Sequence, residues 1–213
     1  MIYNEQTAER VANILLEIGA VKLNLEQPFT WASGWKSPIY CDNRQTLSFP
    51  AARKVIREKL AEGVREKFPE VEVIAGVATG AIAHGVLVAE EMGLPFIYVR
   101  SSAKKHGLTN QVEGKVEPGK KVVVIEDLIS SGGSSLAAVD ALKEADVKVI
   151  GLAAIFSYGF PAAEKAFAAA SCPYFTLSNY EHLLPTAVNA NLIKQAHLET
   201  LKKWRLNPSE WLG

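Results

Sequence analysis

The chain has 213 residues, nearly half of them hydrophobic, and its 23 lysines and arginines are balanced by 23 aspartates and glutamates. That length and apolar content suit one domain with a full core, with at most a small appendage. The charge balance argues against nucleic acid or a membrane surface as the main partner. No uninterrupted apolar stretch is long enough to span a bilayer, and Met1–Gln6 lacks the basic-then-apolar order of a signal peptide, so a cytoplasmic protein is expected.

Val11, Ile14, Leu15 and Ile18 recur at helical spacing before Gly19, predicting an amphipathic helix over about 5–18. Residues 21–49 read differently. Pro28, Trp31, Gly34, Trp35 and Pro38 punctuate short extended pieces such as Pro38–Cys41, which suggests a small irregular subdomain. After Pro50, a helix carrying Ile56, Leu60 and Val64 precedes the strand Val71–Val77. A helix through Ile82, Val86 and Ala89 then stops at Gly93, and the strand Phe96–Val99 follows. The polar segment 101–118 separates this from the strand Val122–Ile125, a helix after Ser134, the strand 147–155, an alanine-rich helix near 161–170 and a short strand near 174–177. Leu192, Ala196 and Leu201 ahead of Trp204 predict a terminal helix. Strands and helices that alternate with short joints imply an α/β fold with a doubly wound, mostly parallel sheet.

The chemistry concentrates where Val122–Ile125 runs into Glu126, Asp127, Leu128, Ile129, Ser130, Ser131, Gly132, Gly133, Ser134 and Ser135. A β-branched run apolar on both faces suits a central parallel strand, and ligands of such sheets bind beyond the carboxyl ends of the strands, where Glu126 and Asp127 are expected. Gly132 and Gly133 let the backbone approach an anion, the serines supply hydroxyls, and Ser134 is placed to cap the next helix, whose N-terminus favours phosphate. The carboxylates suit ribose hydroxyls, Mg²⁺ or a developing positive charge. A strand, a turn and capping serines would also explain the pattern, but the acid pair, hydroxyl loop and paired glycines together are more specific. Neither Gly-x-x-x-x-Gly-Lys-[Ser/Thr] nor a first-strand Gly-x-Gly-x-x-Gly is present.

The longest segment without predicted structure, Arg100–Gln111, leaves a strand end with Arg100, Lys104, Lys105 and His106 close together. A solvated charge run is the bland reading. Loops this long are usually functional or disordered, and this one emerges at the same sheet edge as Glu126 and Asp127, where its cations could serve an anion. Cys41 and Cys172 lack metal-ligand spacing and read as packing thiols, and His84, His182 and His197 read as packing or surface residues.

The segment Val122–Ser135 resembles the phosphoribosyl pyrophosphate (PRPP) motif of type I phosphoribosyltransferases. Arg100-x-x-x-Lys104-x-His106-Gly107 resembles the mobile loop of the orotate phosphoribosyltransferases, and Phe29–Arg44, with Ser33-Gly34-Trp35-Lys36-Ser37-Pro38, resembles their hood. Gly76–Ala83 resembles the turn whose amides lie against pyrophosphate. Three places that hold lysine in many of these enzymes hold Ala32, Gly80 and Ser101 here, and no arginine follows the strand near Ile155 to hold a carboxylate on the base.

The resemblance implies the type I phosphoribosyltransferase fold over 1–213, with a hood largely from 1–50 plus C-terminal contributions and a core of about 51–178. It implies transfer of the 5-phosphoribosyl group of PRPP to orotate, giving orotidine 5′-monophosphate and pyrophosphate in pyrimidine synthesis. Asp127 and Lys104 would be catalytic. Arg100, Lys104, His106 and the run from Glu126 to Ser134 would bind PRPP, and Ser130 would contact orotate. Tyr40 could stack on the base and Lys36 could serve an anion. Mg²⁺ is the implied cofactor, carried by PRPP rather than by a dedicated protein site. The implied assembly is a homodimer in which the loop 100–111 reaches the neighbouring active site. Two other readings remain: a phosphoribosyltransferase for another nucleobase, against which the hood and the His106 loop argue, and a PRPP-sensing regulator, for which no nucleic-acid-binding segment is apparent.

Overall fold

The computed structural model describes residues 1–31, 33–101 and 111–211. Helix α1 (Glu5–Glu17) starts where the Asn4 side chain accepts a hydrogen bond from the Thr7 N–H, and it buries Ala8, Val11, Ala12 and Leu15. The irregular segment after it folds as two small antiparallel pairs. Strands β1 (Val21–Leu23) and β4 (Ile39–Cys41) align Val21 with Cys41, and β2 (Phe29–Thr30) pairs with β3 (Lys36–Ser37). A 3₁₀ turn over Asn43–Ser48 leads to α2 (Pro50–Lys67), which begins on proline, a residue that needs no donor in a helix's first turn.

The core alternates as the periodicity predicts, through β5 (Val73–Val77), α3 (Ile82–Met92), β6 (Phe96–Val99), then β8 (Lys121–Ile129), α4 (Gly133–Glu144), β9 (Lys148–Ser157), α5 (Pro161–Ala169) and β10 (Tyr174–Asn179), with one unpredicted short strand, β7 (Val112–Glu113), inside the polar segment 101–118. The six core strands stand in the order β10-β9-β8-β5-β6-β7, all parallel except the short edge strand β7. Helices α1, α2 and α3 pack on one face, and α4 and α5 on the other. Every residue of β5 and Val122–Ile125 of β8 are buried, as a sheet covered on both sides requires. Among the described residues no helix is long and apolar enough to cross a membrane.

Three local expectations are corrected. First, β8 does not stop at Ile125. Its pairing with β5 ends at Gly76↔Ile125, but on the other edge it continues along β9 to Ile129↔Ser157, so both acids lie inside the strand. Second, Ser134 does not cap α4, because Gly132 occupies that position and no side chain caps the helix. Third, the terminal helix α7 (Leu198–Leu206) begins only after Leu192 and a 3₁₀ turn at Gln195–His197, and a separate helix α6 (Tyr180–Asn189), not anticipated from the sequence, precedes it. Asn191 adopts φ 57°, and the Leu192 N–H returns to the Ala187 carbonyl, a stop that asparagine tolerates and that leaves Leu192 exposed.

Candidate active site

After β5 the chain moves outward through α3 to β6 and β7, then crosses back to place β8 on the other flank of β5. The connections of two adjacent strands therefore diverge, which opens a crevice at their carboxyl ends. Residues 126–129 deepen it, since past Ile125 the β5-facing edge of β8 has no strand beside it.

Strand alternation gives the two acids different surroundings, although their carboxyls remain within hydrogen-bond reach of each other. Glu126 points toward α4 and is 4% exposed. One carboxylate oxygen accepts from the Ser135 hydroxyl at 2.9 Å, the other from the Asp127 N–H at 3.1 Å. Burial, and then the neighbouring Asp127, push its pKa up to about 8. Glu126 thus ties β8 to the first turn of α4.

Asp127 stays partly exposed; its carboxyl shares a hydrogen bond with that of Glu126 and has no cation partner among the described residues. The carboxylate lies against the turn after β5, where a Cβ added at Gly80 would stand 2.5 Å from Oδ2. Real Cβ atoms essentially never come that close, so a lysine at position 80 is incompatible with this placement of the acid. The same turn contains a cis peptide between Ala78 and Thr79. His84 of α3 lies nearby, 2% exposed and 3.5 Å from the Thr46 hydroxyl, and burial lowers its pKa despite the raising influence of Asp127. It packs, as expected.

Beyond β8, Gly132 takes φ 85°, a conformation that strains a side chain, and a Cβ there would meet the Phe167 ring at 3.0 Å. With no side-chain cap on α4, the N–H groups of its first turn point toward the loop, and Ser131, Gly133 and Ser134 are exposed beside them. Arg100 follows the carboxyl end of β6, its guanidinium 3.6 Å from the Glu113 carboxylate. Lys104 and His106 lie outside the described residues.

The hood reaches this crevice at two points. Asn43 Nδ2 donates to the Asp127 carbonyl at 2.6 Å, and Trp31 stacks on Tyr158 at 5.0 Å, just past the end of β9. Tyr40 is 40% exposed beside Phe29, and Lys36 donates to the Thr30 hydroxyl at 2.9 Å. Cys41 donates to Asn43 Oδ1, and burial with the nearby acids holds its thiol well above the usual range. Cys172 is buried. Neither thiol faces a metal cluster among the described residues.

The Phosphoribosyl transferase domain profile matches residues 43–187. The orotate phosphoribosyltransferase of Bacillus caldolyticus is 54% identical over 201 residues, spanning 94% of this chain and 97% of that one. The chain belongs to the orotate phosphoribosyltransferase family. The enzyme of that name from Phocaeicola vulgatus is 53% identical over 207 residues, covering 97% and 98% of the two chains. A solved orotate phosphoribosyltransferase from Aeropyrum pernix superposes with a TM-score of 0.73 at 27% identity, covering 82% of this chain and 96% of that one.

Against this orotate phosphoribosyltransferase framework, the fold brings together Asp127, Leu128, Ile129, Ser130, Ser131, Gly132, Gly133 and Ser134 in one strand, loop and helix start, while Arg100 follows the carboxyl end of β6. Asn43 and Ser135 take parts that sequence reasoning did not assign. Asn43 lies 84 positions from its partner, and no local pattern reveals such a bond. Ser135 stood out only as one of several hydroxyls, and its partner is set by the direction of the Glu126 side chain.

Proposed function

We infer that the chain transfers the 5-phosphoribosyl group of PRPP to N1 of orotate, forming orotidine 5′-monophosphate and pyrophosphate, in pyrimidine synthesis. The observation that carries this reading is the Asp127 carboxylate, without a cation partner among the described residues, set between the turn at 78–81 and the uncapped start of α4. An anion-receptive helix end, an acid and a narrow turn suit, in order, the 5′-phosphate, the ribose and the pyrophosphate.

Residues 130–134 hold the 5′-phosphate by N–H groups and hydroxyls. Asp127 binds the ribose hydroxyls and favours the sugar as C1 gains positive character while its bond to pyrophosphate lengthens. Glu126 supports this from behind, keeping β8 and α4 in register. Ser130, at the end of the same strand, orients the base so that its ring nitrogen faces C1. Arg100, Lys104 and His106 draw off the negative charge of the leaving pyrophosphate. Loop closure over the site excludes water, which protects PRPP from hydrolysis.

Among the described residues no group of three or more ligating side chains could hold a metal ion. The donor set fits Mg²⁺ bound chiefly by substrate oxygens with Asp127 as the one protein carboxylate, a common arrangement for this cation at phosphates. When bound, the ion neutralises the charge on the departing diphosphate.

The reading takes 1–213 as one phosphoribosyltransferase unit, the hood largely from 1–50 with the C-terminal helix added, over a core of about 51–178. It also takes the protein as cytoplasmic and as a homodimer whose loops 100–111 each complete the partner's site. Mixing Lys104→Ala with Asp127→Ala subunits should restore measurable activity through heterodimers, and no recovery would count against a shared site. The assay for the activity itself offers the protein PRPP and Mg²⁺ with orotate, uracil, adenine or hypoxanthine. Orotate alone should be consumed; consumption of another base with orotate untouched refutes the acceptor, and no turnover of any base favours a PRPP-binding regulator.

A further inference from the structure

Orotate carries a carboxylate, and in this chain the strand β9 is followed by Tyr158, Gly159 and Phe160 rather than by an arginine. The end of that strand is not without a cation. Gly159 turns with φ 65°, and a Cβ built there would stand 3.3 Å from Nη1 of Arg205, which reaches across from α7. The turn sits beside the base end of the crevice, because the Tyr158 N–H donates to the Ile129 carbonyl, one residue before Ser130.

The backbone that carries Arg205 is well anchored. Its neighbour Trp204 is 1% exposed and meets Trp31 and Tyr158 edge-on at 5.8 and 6.0 Å, while the Tyr180 hydroxyl donates to the Leu201 carbonyl of the same helix. The helix is thereby pinned to the aromatic cluster that also anchors the hood. Arg205 itself is partly exposed and has no carboxylate partner among the described residues. Two other cations on this side are committed, Arg44 to Asp42 at 2.6 Å and Lys36 to Thr30 at 2.9 Å.

We propose that Arg205 is the specificity residue for the acceptor: its guanidinium, held over Gly159 by α7, receives the carboxylate of orotate. The proposal rests on the orotate reading above. A planar fork of donors matches a carboxylate in two parallel hydrogen bonds, which lysine cannot reproduce. Gly159 has a physical role in this arrangement, since it leaves the turn low enough for the guanidinium to lie over it.

The test compares initial rates for the full-length enzyme with Arg205→Ala, Arg205→Lys and, as a charge control on the same helix, Lys203→Ala. For Arg205→Ala the KM for orotate should rise roughly tenfold to a hundredfold, the loss expected when a charge-assisted pair is removed. Its kcat and its KM for PRPP should stay within about threefold, because those report the phosphate end. Arg205→Lys should fall between, and Lys203→Ala should match the wild type. Inhibition by uracil, which has no carboxylate, should be the same for Arg205→Ala and the wild type. An unchanged orotate KM in Arg205→Ala overturns the proposal, and so does an equal rise in both KM values. If the alanine variant fails to fold, the lysine variant decides, since an orotate KM equal to wild type there overturns the fork geometry. Failure of the wild type to use orotate would instead defeat the activity assignment.

Discussion

In the proposed site the phosphate end is one continuous run of chain, residues 126–135, whereas the proposed base end draws on Trp31, Tyr40, Tyr158 and Arg205, which lie in four separate segments. At the phosphate end a strand, a tight loop and a helix start place backbone donors by local geometry alone. The base end instead depends on aromatic rings from the hood, β9 and α7 packing together before any polar group is in position. A phosphate is recognised by backbone groups that any well-formed loop and helix can offer, so its site can be local. A flat, carboxylated ring needs faces and edges from several directions.

The contrast can be broken most directly at Asp127. Asp127→Asn keeps the shape and removes the charge, and kcat should fall about a hundredfold to a thousandfold while thermal unfolding shifts little. A variant retaining near-wild-type turnover would remove Asp127 from the chemistry. At the other end, Trp31→Ala removes the stack on Tyr158 and the edge contact with Trp204. It should cost about 2–4 kcal/mol in urea unfolding, with loss of orotate binding exceeding loss of PRPP binding. Equal losses for both substrates would mean that the two ends are not separable.

Gly80→Ala tests how tightly the turn and the acid are matched. The added Cβ forces the Asp127 carboxylate to rotate away, and kcat/KM should drop roughly tenfold with little change in Tm. Unchanged kinetics would show that the acid need not rest on the turn. A last test reads pH rather than turnover and concerns Glu126, whose pKa is raised from an ordinary 4.5 to about 8. Between those values the folded protein holds a proton that the unfolded chain has released, so stability should fall as pH rises through that window and level off above it. Glu126→Gln, neutral throughout, should lack that slope. An equally steep decline in the variant would place the titrating group elsewhere.

The sheet was legible because burial on both faces leaves uniform apolar runs such as Val122–Ile125, and the helices because their stripes repeat at helical spacing. The end of β8 was misread for a physical reason. A strand ends where its partners end, and β5 and β9 stop at different points, which no property of residues 126–129 reveals. Gly80 illustrates the same limit. In sequence it is a missing lysine, but in the fold it is the space that the Asp127 carboxylate occupies.

By itself, then, the order of residues determined the alternating α/β architecture and the acid, hydroxyl and glycine run proposed to bind phosphate, because both follow from patterns within about ten neighbouring positions. The direction of each acid's environment, the tie from Asn43 to Asp127 and the arrival of Arg205 at Gly159 were decided only by tertiary structure. Each of those depends on which distant segment fills the space beside a strand end, and that is settled when the hood and the C-terminal helix pack against the sheet.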